Sequence, residues 1–295
     1  MKNENKIKSL LIKLGISTED SIVPFFSKVR DRNDLKVLKC KKSDVLLLSG
    51  SDHVGMQYYK EKKSFRYSGA QSRRSVLAEG IEDAQRRCEQ FKYVVANKKW
   101  IDVGTGAGGI LDLFSAVAQE IAAVEPQEIA RKNLVDLGYK VYSSIGEAPN
   151  NYFDVTTLFH SLEHFTDPIG TLKAIKGKMS KGGKIIVEVP HARDFLISFL
   201  ENDAFKSFTF WSEHLILHTR ESLKIFLEAA GFSRIVISGF QRYPLANHFF
   251  WLVHGKPGGH IAWQQLRTKE LDQAYSHMLA SIDKTDTLIA TAENI

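Results

Sequence analysis

Only two cysteines, Cys40 and Cys88, occur in 295 residues. That excludes a disulfide framework and a four-thiolate zinc site, and it suits a reducing compartment. Long uncharged apolar runs are also missing, since no stretch approaches the roughly 20 residues that cross a bilayer. The opening MKNENKIKSLLIKLG carries lysines but lacks the apolar core and small-residue cleavage site of a secretory signal. A cytoplasmic protein without a membrane span is expected. No internal repeat is visible. The basic stretches KVLKCKK and YYKEKKSFRY contain no recognisable nucleic-acid module, which argues against nucleic acid as a partner.

Apolar residues make up 43% of the chain, enough for a proper core. The net charge of +6 is unevenly placed: residues 1–99 hold 22 Lys and Arg against 12 Asp and Glu, and the remainder hold 18 against 22. Such a basic third suits an anionic ligand or substrate, a phosphate or carboxylate for instance. It equally suits a solvated lysine-rich surface.

Helix-like and strand-like segments alternate through the middle, the pattern of an α/β fold with a mostly parallel sheet. Residues 1–50 pair a short amphipathic pattern (Ile7, Leu10, Leu11, Leu14) with the β-like LKVLKCKKSDVLLLS. From Gln71 to Asn97, the residues Val76, Leu77, Ile81, Ala84, Cys88, Phe91 and Val95 recur at the spacing of one helix face. Next come strand KWIDVG, helix 109–119, strand IAAVEP, helix 127–137, strands KVYSS and YFDVTTLF, helix 168–179 and strand KIIVEVP. Further on, TRESLKIFLEAAGF reads as a helix with Thr219 as N-cap; Ser222 at the third position completes no full capping box. The expected domains are a small basic N-terminal subdomain (1–70), a main domain (71–258) with a His- and Phe-rich insertion at 191–218 covering the site, and a C-terminal helix (259–295).

The densest signal is KKWIDVGTGAGGILDLF. Gly104, Gly106 and Gly109 satisfy G-x-G-x-x-G between a buried strand and a helix, where a bare backbone can approach a ligand and helix N–H groups can point at it. A tight turn holding nothing satisfies the same pattern. Asp102, two residues ahead of Gly104, would repel a phosphate and suits an ammonium or amide. Glu125 ends the next strand, where a carboxylate can accept both hydroxyls of a ribose. The ligand inferred is a nucleoside with a cationic tail.

WIDVGTGAGG, AVEP, YFDVTTLFHSLEHFTDP and MSKGGKIIVEVP, in that order, resemble the motifs of class I S-adenosylmethionine-dependent methyltransferases across residues 98–240. The resemblance implies a Rossmann-like sheet of seven strands, mostly parallel with the last antiparallel, flanked by helices, and S-adenosyl-L-methionine as cofactor. It places Asp102, Gly104, Thr105 and Gly106 toward the methionine portion, Glu125 and Pro126 at the ribose, and Ser144, with Ile145, at the adenine, where relatives often use an acid. His160 also belongs to this cofactor-lining set. The flanking segments resemble a bacterial branch associated with surface-polysaccharide and sugar modification. Some such relatives carry an N-terminal zinc ribbon; here Cys40 is kept, but Ser43 stands where its partner would be, so no metal is assigned.

Methyl transfer to a hydroxyl needs collinear alignment and a base titrating near working pH, for which histidine is the natural type. His160, after the apolar strand VTTLF, and His191, after Pro190, both fall at the ligand edge of the sheet and are the catalytic candidates. His164 is expected to bond loop backbone. His214 and His218, four apart, would share a helix face and could bind metal, though polar cover residues fit them better. Among Arg73, Arg74, Arg86 and Arg87, one could meet a substrate phosphate or the cofactor carboxylate. Phe208, Phe210 and Trp211 suit either sugar stacking or the core. Arg242, Tyr243, Asn247 and His248 surround a proline turn.

The expected function is transfer of a methyl group to a small or carbohydrate-like acceptor, more readily at oxygen than at nitrogen or carbon, with a nucleotide-linked sugar or glycan precursor within range. A homodimer is compatible with it. Two rivals stay open: a nicotinamide-dependent oxidoreductase, against which Asp102 stands, and a noncatalytic regulatory subunit of the same fold.

Overall fold

The computed structural model describes residues 5–61 and 72–295. The expected boundary between residues 70 and 71 lies outside the described residues, as does Gln71 at the start of the expected helix. Eleven strands form among the described residues: β1 (Ile22–Phe26), β2 (Val37–Cys40), β3 (Leu46–Leu48), β4 (Lys99–Val103), β5 (Glu120–Val124), β6 (Lys140–Tyr142), β7 (Phe153–Phe159), β8 (Met179–Pro190), β9 (Ile216–Leu217), β10 (Ser233–Phe240) and β11 (Thr287–Glu293). They make a four-stranded sheet in the order β1-β2-β3-β9 and a seven-stranded sheet in the order β10-β11-β8-β7-β4-β5-β6. β6, β5, β4 and β7 pair in parallel. β11 runs antiparallel to β8: Gly182 N–H reaches the Asn294 carbonyl while His191 N–H reaches that of Asp286. The Rossmann-like α/β sheet flanked by helices is therefore present.

Two compact units divide the chain, one of Met1–Asp52, Glu188–Ile225 and Ile237–Ala290, the other of His53–Val187, Phe226–Val236 and Thr291–Ile295. In the second unit, β4 is buried from Trp100 to Val103, as a central parallel strand covered on both faces must be. The helix Arg73–Val95 starts at Ser72, whose hydroxyl accepts the Ser75 N–H, and buries Ala84, Phe91 and Val95. Ile81, part of the expected stripe, is 42% exposed; the buried line passes one position to its side. The helix after the glycine loop stops at Phe114 rather than 119. The helix Pro168–Lys178 opens with Asp167, which accepts the Gly170 N–H, and with proline at its first position.

In the first unit, β2 and β3 form a hairpin whose turn places Asp44 at φ 60°. β9, from the 191–218 insertion, pairs antiparallel with β3. The insertion thus joins the N-terminal strands in one sheet. Arg30 lies over the rings of Trp211 (4.6 Å) and Phe208 (5.4 Å), while Phe210 is core beside Phe25 and Phe26. No helix links His214 and His218: β9 lies between them, His214 packs on Trp211, and buried His218 bonds Ser222 through Nδ1. Thr219 and Ser222 do complete a reciprocal cap, each hydroxyl accepting the other's N–H (3.3 and 2.9 Å). Serine therefore replaces the usual Glu or Gln.

The C-terminal stretch corrects the expectation of a helix over 259–295. It holds a short helix (Gly259–Ala262), a longer one (Lys269–Ser281) and then β11, the antiparallel strand of the large sheet. A domain ending at 258 would lack that strand.

Candidate active site

The turn after β4 is shaped by two glycines. Gly104 sits at φ +83°, and a Cβ there would overlap the Ser161 hydroxyl, so neither conformation nor space admits a side chain. Gly106 sits at φ +56° with nothing near where a Cβ would project, so its bare backbone faces open space. Its N–H donates to Glu125 Oε2 and the Gln127 N–H to Oε1, both at 2.8 Å. The carboxylate closing β5 is thereby tied to the loop after β4. Burial pushes the Glu125 carboxyl above its usual range, and the two N–H groups oppose that shift. Arg131 holds the same corner by donating to the Glu125 and Pro126 carbonyls.

These groups wall a cavity of about 370 Å³, large enough for a small-molecule ligand. It brings together Gly104, Gly106, Glu125, Pro126, Ser144, Ile145 and His160. Asp102 and Thr105 are not on its wall. Asp102 is 2% exposed and accepts the Thr157 hydroxyl (2.6 Å), which itself accepts from Trp100 Nε1 (3.0 Å). Burial lifts its carboxyl to about 6, with Thr157 pulling the other way. The Thr105 hydroxyl is buried too. Ser144 caps the short turn Ile145–Glu147; the acid nearest this corner, Glu147, accepts the Ser143 N–H (2.9 Å) and hydroxyl and does not line the cavity.

His160 comes directly after β7 in a left-handed conformation, φ +51°, uncommon for a residue with a Cβ. Its Nδ1 lies 3.3 Å from Glu163 Oε1. His164, expected to bond loop backbone, instead has Nδ1 3.2 Å from the Tyr59 hydroxyl. Both histidines and Tyr59 line the cavity. His191 does not. It is fully buried, Nδ1 bonds the Thr285 carbonyl (2.9 Å), and burial lowers its pKa to about 4. Its neutral ring is committed to backbone, which removes its case as the base. Three of the four arginines are also committed: Arg73 binds the Ala107 carbonyl and Asp112, Arg86 binds Asp83, and Arg87 lies over Phe159, while Arg74 is exposed. Asn247 accepts the Gly259 N–H and His248 meets the Tyr275 hydroxyl, so both serve the fold.

The methyltransferase-domain family matches residues 72–236, more than half the chain. The chain belongs to this family. Its domain is of the class I, S-adenosylmethionine-dependent kind, and the nicotinamide alternative falls. Over 102 residues the chain is 29% identical to a ubiquinone biosynthesis O-methyltransferase of Stutzerimonas stutzeri, covering 31% of this chain and 44% of that one. A namesake from Aromatoleum aromaticum is 28% identical over 101 residues, covering 31% and 43%. The chain thus spans less than half the length of these curated relatives. Among solved structures, an S-adenosylmethionine-dependent methyltransferase from Archaeoglobus fulgidus is 18% identical with a TM-score of 0.48, covering 75% of this chain and 94% of that one.

Sequence reasoning missed Tyr59, Gly55, Gln127, Ser161 and Asp167 on the wall. Asp167 carried a readable signal, an acid directly before proline at a helix start. Tyr59 carried none, because it meets His164 across 105 residues.

Proposed function

We propose that this chain is an enzyme that transfers the methyl group of S-adenosylmethionine to a hydroxyl of a small acceptor. The observation that carries it is the Glu125 carboxylate, fixed by the N–H groups of Gly106 and Gln127 on the wall of a cavity that also holds His160. The residues suit the cofactor: a bare backbone at Gly106, a carboxylate for a ribose, and the acidic side chains of Glu125 and Asp167 for a cation. When bound, the cofactor supplies an electrophilic methyl on a sulfonium sulfur. Asp102, off the cavity wall, holds the Thr157 hydroxyl of the neighbouring strand β7.

His160 serves as the base. As the acceptor oxygen gains the methyl, its proton passes to a ring nitrogen of His160 and from there to solvent, so no charged oxonium builds up. The name of the curated relatives, O-methyltransferases, supports oxygen as the target, and a carbohydrate-like acceptor remains the finer part of the proposal. Titration calorimetry with S-adenosylmethionine, then labelled-methyl transfer to phenolic and sugar hydroxyl panels, tests it. No measurable cofactor affinity would sink the proposal, and tight binding with no labelled product would favour a regulatory subunit.

A further inference from the structure

Resting on that reading, we propose that Glu163 is a positioning residue that sets the tautomers of two histidines on the cavity wall and places the lone pair of neutral His160 on Nε2, to take the acceptor proton. Glu163 is fully buried, on the short turn Leu162–His164 just beyond β7. One of its oxygens, Oε1, is shared: it lies 3.3 Å from Nδ1 of His160 and 3.9 Å from Nε2 of His164. At the far side of His164, Nδ1 lies 3.2 Å from the Tyr59 hydroxyl. Tyr59, His164 and His160 line the cavity, and Glu163 lies buried behind the two histidines.

The proton positions among these groups result from donor and acceptor chemistry. A buried carboxylate needs donors, and an ionised one can only accept. With Glu163 ionised, the His160 nitrogen facing it carries hydrogen, so in the neutral ring the lone pair sits on Nε2. His164 Nε2, at 3.9 Å, makes no hydrogen bond to that oxygen but lies within the field of the carboxylate, which favours hydrogen there and leaves Nδ1 to accept the tyrosine hydrogen. The two rings hold opposite tautomers around one carboxylate, and each assignment supports the other. The left-handed backbone at His160 is a strained conformation of the kind kept where a side chain must be aimed. Converting Glu163 to a neutral acid would send its own hydrogen to one of these nitrogens and destroy the pattern.

Histidine-labelled protein, free and with S-adenosylhomocysteine, should be examined by long-range proton–nitrogen correlation at neutral pH, with His160→Gln and His164→Gln to assign the signals. The expected result is hydrogen on Nδ1 of His160, favoured by about tenfold or more as a charge-assisted bond supplies, and on Nε2 of His164 by a smaller margin. In Glu163→Gln, whose amide can donate as well as accept, the His160 preference should fall toward an even mixture while S-adenosylhomocysteine affinity stays within about twofold, the cradle being untouched. His160 carrying its hydrogen on Nε2 in the unmodified protein overturns the assignment, and that spectrum decides even if the variant does not fold. No acceptor is needed, so a failed methyl-transfer assay would remove the proposed function and leave the tautomers standing.

Discussion

β7 and β8 both end in an apolar run capped by histidine, and the two histidines have opposite fates. His160 lines a cavity with its side chain 22% exposed and a carboxylate at Nδ1. His191 is 0% exposed, with a carbonyl at Nδ1 and a pKa pushed down to about 4. The difference lies in the backbone path beyond each strand. After His160 the chain makes a short turn that swings Glu163 back to the ring; after Pro190 it pairs with residues 218 and 286 and seals the ring in. Whether a histidine at a strand end reaches a cavity is decided by the path of the next few residues.

The largest expected effect comes from the loop on which the His160 side depends. Gly104→Val forces a branched side chain into a left-handed position already filled by Ser161, and S-adenosylmethionine affinity measured by calorimetry should fall about 1,000-fold, roughly 4 kcal/mol. Unchanged affinity would mean that the loop is not the cofactor cradle. Next, His160→Ala should lower turnover about 100-fold, the lower end for general base catalysis, with cofactor affinity held within about twofold. Equal losses in His160→Ala and His191→Gln would erase the contrast between the two strand ends.

The third effect sharpens the His191 side through pH. A neutral buried imidazole with folded pKa about 4 must stay uncharged while the unfolded chain, with an ordinary value near 6.5, takes up protons. Its contribution is whole above pH 6.5 and is lost as pH falls toward 4, about 2 kcal/mol by pH 5. Asp194, lifted by burial to about 7, works in the opposite direction, gaining as pH falls from 7 toward its ordinary value. Urea unfolding of His191→Gln and the parent at pH 7 and pH 5 separates the two: the parent should lose more than the variant by about that amount. The smallest effect is that of Glu125→Gln, which keeps the size but turns an amide NH2 toward one of the two backbone N–H groups the carboxylate now accepts, and should weaken cofactor binding about tenfold.

Much of the parallel half of the fold is legible in the sequence, because its strands are short, largely apolar runs separated by helical periodicity and by glycine and proline. Gly104, Gly106, Glu125, Pro126, Ser144 and His160 line one cavity. Asp102 escapes such reading because strand position gives no sign of which polar neighbour a buried carboxylate will choose, and Thr157 stands on a different strand. β11 is hidden for a related reason. TLIATAE comes after a helical stretch, and its strand character depends on the pairing offered by β8 and β10, formed far earlier in the sequence. The histidines and aromatics of the 191–218 insertion suggest a cover over ligands; β9 shows that its backbone pairing with β3 must be counted as well.

β11 fills the place between β8 and β10. Residues 287–293 are the last of the eleven strands to leave the ribosome, so β8 and β10 can gain their shared neighbour only once all the others have been synthesised.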